Sequence, residues 1–250
     1  MNELSAVTQT VILAAGNGSR LAQGSAGVPK PLMTVGGVPL LARALAHARA
    51  SGCLEAVIVV GHEREQVMAA ARSMSSGLAL QFVETPDPSS PNGVSLLAAE
   101  PLTRPQFFLQ MVDHLFGDVT LPRLVGTPLG TEGGRVLVDR APGGIDLADA
   151  TKVQLAGERV VAIGKGIDPW DAVDAGCFVL TRAVFGALRQ TDASEPRTVS
   201  SGMRQLAQRG LLGAVDVGGT EWVDVDTPGD RDLAERLLAQ RAVAGGDLRR

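Results

Sequence analysis

The sequence predicts an α/β fold: a mostly parallel central sheet with helices on both faces and a small antiparallel hairpin inserted near the middle. Three observations carry this. Short apolar runs rich in Val and Ile alternate with stretches of helical periodicity, as in a parallel sheet covered by helices. The last helical stretch opens on Thr227-Pro228, an N-cap followed by a first-turn proline. The alternation breaks once, at Val153 to Ile163, where Ala156-Gly157-Glu158 splits two strand-like runs as a hairpin turn does.

In chain order, strands are predicted at Thr10 to Ala15, Ala56 to Val60, Leu80 to Glu84, Phe107 to Val112, Val136 to Asp139, Gly176 to Leu180 and Trp222 to Val225. Helices are predicted at Leu40 to Ala50, Glu63 to Met74, Val94 to Ala99, Val199 to Gln208 and Gly229 to Gln240. Ala22 to Val28 and Thr85 to Gly93, rich in Gly, Ser and Pro, read as loops. Residues 1–242 are expected to form a single domain and 243–250 a disordered tail.

Composition narrows the function classes. With 250 residues, 45% of them apolar, the chain is long enough to bury one sizeable core. A net charge of -4 with scattered arginines gives no electrostatic footprint for nucleic acid or an anionic membrane. No run reaches the roughly 20 apolar residues that span a bilayer, and no secretory leader pattern opens the chain, so a cytoplasmic protein without membrane insertion is expected. Cys53 and Cys177 lie in apolar runs without metal-site spacing, as buried thiols do. The lysines are only three, Lys30, Lys152 and Lys165, in a chain that otherwise uses arginine for positive charge. A lysine in such a chain marks positions where a compact ammonium serves better than a planar guanidinium.

The first strand runs into Leu13-Ala14-Ala15-Gly16-Asn17-Gly18-Ser19-Arg20-Leu21, and Pro29-Lys30-Pro31-Leu32 follows. Glycines directly after a buried strand let the backbone approach a phosphate and aim successive N–H groups at it, with Arg20 and Lys30 as nearby charge. Leu21 stands where a dinucleotide-binding GxGxxG would need glycine, and GxxxxGK[ST] is absent. Two acidic positions sit at predicted strand ends, Asp113 in Met111-Val112-Asp113-His114 and Asp226 in Trp222-Val223-Asp224-Val225-Asp226-Thr227-Pro228. Ligands of open α/β sheets gather beyond the carboxyl ends of the strands, so these two could converge as hard oxygen ligands for Mg2+. Asp226 is preferred to Asp224, which is expected to face the other way. His114 has no Ser or Cys nucleophile placed beside it and is expected to support the site or touch a substrate hydroxyl. Lys152 and Lys165 flank the hairpin and could clamp a phosphate between two ammonium groups.

Leu13-Ala14-Ala15-Gly16-x-Gly18-x-Arg20-Leu21, Pro29-Lys30-Pro31-Leu32 and Gly36-Gly37-x-Pro39-Leu40-Leu41, in that order, resemble the opening signature of the sugar-phosphate nucleotidyltransferases, whose fold is glycosyltransferase-A-like, a Rossmann-like sheet of the nucleotide-diphospho-sugar transferase type. Taken with Asn92-Gly93-Val94-Ser95, Asp113-His114, Asp149 to Val153, Ile163-Gly164-Lys165 and Asp171 to Phe178, the chain is similar over residues 11 to 230 to the cytidylyltransferases acting on L-myo-inositol 1-phosphate and to enzymes that activate phosphonates or phosphocholine. The resemblance implies transfer of CMP from CTP to a small phosphorylated acceptor. Arg20, Lys30 and Asp113 would then be catalytic; Ala14, Ala15, Gly16, Gly18, Asn92 and Ser95 would bind the nucleotide; and Asp113 and Asp226 would hold Mg2+. Lys152, Lys165, Asp149, Asp174 and His114 would contact the acceptor. Ala175 departs from the Thr such proteins often carry, which bears on acceptor identity, and any lipid-linked step is expected to belong to another protein.

Four rival readings are left standing. A glycosyltransferase of the same fold would have no reason to carry Pro29-Lys30-Pro31. A cationic acceptor such as phosphocholine or an aminoalkylphosphonate usually wants an aromatic cage, and this chain has no Tyr and only Trp170 and Trp222. A sugar 1-phosphate acceptor or a non-catalytic regulatory subunit completes the set. The sequence leaves the oligomeric state open, a homodimer included.

Overall fold

A computed structural model describes residues 7–16, 27–75, 77–116, 124, 125, 129, 131–143 and 145–246, with side chains to residue 240. Its frame is a nine-stranded sheet in the order β5-β4-β1-β6-β11-β8-β12-β10-β9. These strands are β1 (Gln9–Ala14), β4 (Glu55–Val60), β5 (Ala79–Glu84), β6 (Gln106–Met111), β8 (Gly134–Asp139), β9 (Lys152–Ala156), β10 (Arg159–Gly164), β11 (Ala172–Thr181) and β12 (Leu212–Asp216). Two small ribbons complete the set: β2 (Thr34–Val35) with β3 (Val38–Pro39), and β7 (His114–Phe116) with β13 (Trp222–Asp224).

The sheet is parallel from β5 through β6 and at β12–β8, whereas β11 runs antiparallel to both its neighbours. The hairpin β9–β10 is present where the sequence placed it, but it is the edge of the main sheet rather than an insertion standing off it. β10 pairs with β12 and β9 with β11. The sequence reading passed over β12 because Leu-Gly-Ala-Val-Asp, with one Gly and one Ala, has little β-branched character. It passed over β7 because three residues show no period.

Alternation along each buried strand feeds two cores, one on each face of the sheet. Ile12, Ile58 and Phe108 face the helix Leu40–Ala50 through Leu41, Ala44 and Leu45. Val11, Leu13, Val57, Leu109 and Phe178 face Leu96, Phe185 and Met203 from the helices Asn92–Ala99, Ala183–Arg189 and Val199–Gln208. Polar groups in these layers are paired. Thr10 Oγ1 donates to the Phe108 carbonyl, and Gln110 Nε2 donates to Thr10 Oγ1 and to the Ala44 carbonyl, each at 3.1 Å. Cys53 and Cys177 are buried free thiols. The helix predicted from Gly229 runs Pro228–Gly246, past residue 242. No helix among the described residues is long and apolar enough to cross a membrane.

Candidate active site

The short ribbon β7–β13 assembles the acidic centre. β6 ends at Met111, the chain turns through Val112 and Asp113, and β7 pairs antiparallel with β13 so that His114 lies opposite Asp224. The Val225 N–H donates to the Asp113 carbonyl at 3.0 Å, which carries the pairing one step further and brings Asp226 alongside. Asp226 is aimed by the start of the last helix. Asp230 Oδ2 accepts from the Asp226 N–H at 3.2 Å and the Thr227 N–H at 2.7 Å, while Thr227 Oγ1 accepts from the Asp230 N–H at 3.2 Å. This is a capping box with Asp in place of Glu, an arrangement that stabilises a helix start by about 1 kcal/mol.

Lys30 enters from a single 3-10 turn, Lys30–Leu32, set between Pro29 and Pro31 and closed by the Leu32 and Met33 N–H groups. Its side chain is 8% exposed, and Nζ lies 2.5 Å from both Asp113 Oδ2 and Asp226 Oδ1. Burial alone would lower the lysine pKa, but the two carboxylates outweigh it and hold the ammonium well above the ordinary lysine range. Asp113 is likewise held below the usual carboxylate range, burial being overcome by Lys30 and His114.

His114 Nδ1 lies 2.8 Å from the other Asp113 oxygen, Oδ1, so each Asp113 oxygen has its own cationic partner. The imidazole stacks on Trp222 at 5.9 Å and on Phe116 at 6.3 Å, and Trp222 is anchored by its Nε1 donating to the buried Asp139 at 2.9 Å. Burial works against its charge, but Asp224, Asp113 and Asp174 push its pKa up to about 9. Asp224 Oδ1 is 3.7 Å from His114 Nδ1 and is a buried oxygen with no hydrogen-bond partner among the described residues. Asp113, His114 and Asp224 together could hold a metal ion. An orphaned buried carboxylate oxygen beside two more acidic residues suits a hard divalent cation such as Mg2+.

Glycine is required opposite this histidine. Gly176 has φ of +73°, and a Cβ added there would sit 2.3 Å from His114 Nε2. Gly176→Ala is therefore expected to shift the imidazole away from Asp113 and lower kcat by about tenfold or more, with a stability loss of about 1–3 kcal/mol. Kinetics and thermal melting check this. A variant with native kcat and melting temperature would show that the stack does not hold Asp113.

The centre opens into a cavity of about 1050 Å3. His114, Asp224 and Asp226 line it, as do Asp149, Thr151, Lys165, Asp174, Glu195 and Arg204. Lys165 pairs with Asp149, and Arg204 Nη1 with Glu195 at 2.6 Å. Asp174 Oδ1 accepts from the Gly176 N–H at 2.8 Å, yet burial pushes its pKa up to about 6.

Several residues singled out from sequence have partners within the fold itself. Lys152 Nζ donates to the Leu147 and Lys165 carbonyls, at 2.9 and 3.0 Å, and is not among the residues lining the cavity. These two bonds tie the base of the hairpin to the preceding loop. Asn92 lines the cavity but its Oδ1 accepts from the Val199 N–H at 2.9 Å, securing the start of the helix Val199–Gln208. Ser95 is buried and donates to Thr85 Oγ1 at 3.1 Å. Ala14 closes β1 and Ala15 follows it, its carbonyl accepting from the His62 N–H; Gly16 comes next with open space where a Cβ would lie. Gly18 and Arg20 lie outside the described residues.

The expectation that Asp224 faces away is corrected. Residues two apart along a strand share a face, and Asp224 and Asp226 both line the cavity. Sequence reasoning also missed Arg204, Glu195 and Gly176. Period two could have found Asp224; nothing marks Arg204 among twenty arginines.

A family model described as MobA-like NTP transferase domain matches residues 10–201. A curated relative in Rubrobacter xylanophilus, "Bifunctional IPC transferase and DIPP synthase", is 39% identical over 94% of this chain and 53% of its own length. A protein of the same description in Thermococcus kodakarensis is 32% identical over 95% of this chain and 52% of its own. The chain thus spans about half the length of these curated relatives. The solved inositol-1-phosphate CTP transferase of T. maritima superposes with a TM-score of 0.79 at 25% identity, covering 92% of this chain and 96% of that one.

Proposed function

Starting from the membership of this chain in the MobA-like NTP transferase domain family, we propose that it transfers CMP from CTP to the phosphate of L-myo-inositol 1-phosphate, giving CDP-inositol and pyrophosphate. The observation that carries the reading is that one cavity is lined by both the acidic centre and two cationic side chains, Lys165 just past the end of β10 and Arg204 on the helix packed against it. A reaction between two anions needs both: carboxylates for a divalent ion and fixed cations for the acceptor phosphate. The similarity to the inositol-1-phosphate CTP transferase and to the bifunctional relatives supports the base and the acceptor.

In this reading an acceptor phosphate oxygen attacks the α-phosphorus of CTP in line, and the bond from that phosphorus to the β-phosphate oxygen breaks. Asp113, Asp224 and Asp226 would hold Mg2+, which when bound neutralises charge on the reacting phosphoryl group. Lys30 would steady the triphosphate, together with the backbone after β1 and with Arg20. His114 orients Asp113. Lys165 and Arg204 hold the acceptor phosphate, and Asp149, Asp174, Thr151 and Glu195 supply acceptors and donors for ring hydroxyls. The protein's contribution is positioning and preorganised charge, each worth several kcal/mol. No nucleophilic side chain is needed. The use of CTP fits a cytoplasmic enzyme.

Among the described residues, the aromatic side chains lining the cavity are Phe178 and Trp222, besides His114, and Trp222 is already stacked on His114. That set does not form a cage for a quaternary ammonium, which favours a polyol over phosphocholine.

The test is Mg2+-dependent pyrophosphate release with ATP, CTP, GTP and UTP against L-myo-inositol 1-phosphate, phosphocholine, 2-aminoethylphosphonate and glucose 1-phosphate. Release with CTP and inositol phosphate alone is expected. Turnover of a different acceptor with CTP would move the substrate and keep the reaction; silence with every pair, alongside tight CTP binding, would overturn catalysis.

A further inference from the structure

The place where a divalent ion would sit between Asp113 and Asp226 is bridged by the chain's own ammonium. Lys30 Nζ is 2.5 Å from an oxygen of each, reaching residues 83 and 196 positions away, and it is held there by a turn fixed between two prolines. Two carboxylates this close repel and would splay apart if left without a counter-charge. Resting on the assignment of these aspartates as metal ligands, we propose that Lys30 is a tethered counter-cation, competing with the divalent metal for the empty enzyme's carboxylates and released only when metal and nucleotide arrive together.

The reason is electrostatic and steric at once. An ammonium and a metal ion cannot both lie within bonding distance of the same oxygens, and their like charges repel strongly at such separations. A metal entering alone must expel the ammonium from the two carboxylates it bridges, with no phosphate there to take it over. A metal entering with a triphosphate brings the anion that takes the ammonium over. Lys30 thereby has two partners in two states: the carboxylates when the site is empty, the phosphates when it is loaded. The same competition keeps Asp113 and Asp226 at metal-binding separation before the metal comes. It also makes metal and nucleotide mutually promote each other's binding, a coupling that must be equal in both directions.

The measurement is Mn2+ binding to nucleotide-free protein, read from the electron paramagnetic resonance signal of free Mn2+. Lys30→Met, which keeps the length of the side chain and removes the charge, is expected to bind Mn2+ at least about tenfold more tightly than the native protein. Lys30→Met with Asp113→Asn should lose that gain. Equal or weaker binding by Lys30→Met overturns the proposal. Removing the ammonium also exposes the carboxylates to each other, so the variant could unfold. The native protein then decides: Mn2+ alone should leave its melting temperature nearly unchanged at concentrations that raise it when CTP is present. An equal rise without CTP overturns the proposal. The outcomes separate from those of the proposed function. If Asp113→Asn in the native background weakens Mn2+ binding but Lys30→Met does not strengthen it, the metal assignment stands and the counter-cation fails. If neither substitution alters Mn2+ binding, both fail.

Discussion

Asn in place of Asp113 is expected to lower kcat by at least about a hundredfold, or 2.7 kcal/mol, while leaving the protein folded. Asp113 touches both cations of the centre, with Oδ2 on Lys30 and Oδ1 on His114. An amide keeps the volume but replaces one accepting oxygen with an NH2 donor, which must then face either the ammonium or the imidazole N–H. The substitution also removes one of the charges that a divalent ion needs. Folding survives because the element carrying Asp113 is tied by backbone pairing, β7 against β13 and Val225 N–H to the Asp113 carbonyl. A stability loss of about 1–3 kcal/mol is expected from the mispaired group. Steady-state kinetics at saturating CTP and Mg2+, beside a melting curve, make the check. A kcat within about tenfold of native in a folded variant would remove Asp113 from the reaction.

Lys30 and Asp113 were each legible in the sequence as candidate site residues, but the contact between them was not. A glycine turn after the first strand, a lysine between prolines and an aspartate at the end of a buried apolar strand are local patterns, and each records a local requirement. The parallel strands β4, β1 and β6 were legible for the same reason, since strands buried on both faces read as continuous apolar runs. The other half of the sheet was less so. β12 is short and carries Gly and Ala, and the antiparallel course of β11 between β6 and β8 depends on pairings no single segment encodes. Among site residues the same division holds. Lys152 and Lys165 both flank the hairpin, but which way an ammonium turns depends on the carbonyls within reach. Leu147 and Lys165 offer theirs to Lys152. Arg204 sits on the helix Val199–Gln208, remote from every motif, and comes to the cavity because that helix packs on β10, where its Nε donates to the Ile163 carbonyl at 3.4 Å.

The division yields the second large effect. Lys165→Gln and Arg204→Gln are each expected to raise KM for the acceptor by about tenfold or more, and the double substitution by about a hundredfold or more, with KM for CTP unchanged. A charge-assisted hydrogen bond to phosphate contributes about 1.5–3 kcal/mol, and both side chains pair with carboxylates that an incoming phosphate must displace. Glutamine retains a donor and removes the charge, so the loss reads electrostatics rather than shape. Lys152→Gln is the informative comparison, because it too removes a scarce lysine from the hairpin base. Its ammonium serves two backbone carbonyls, so its loss should lower the melting temperature slightly and leave the acceptor KM near native. A hairpin clamp would give the opposite ranking, with Lys152→Gln as damaging as Lys165→Gln and Arg204→Gln silent. The two arrangements place the acceptor phosphate differently. Lys152 and Lys165 would hold it at the sheet's edge, whereas Lys165 and Arg204 draw it between the hairpin and the helix, inside the same cavity as Asp224 and Asp226. Only the second brings the attacking oxygen into the space the carboxylates share.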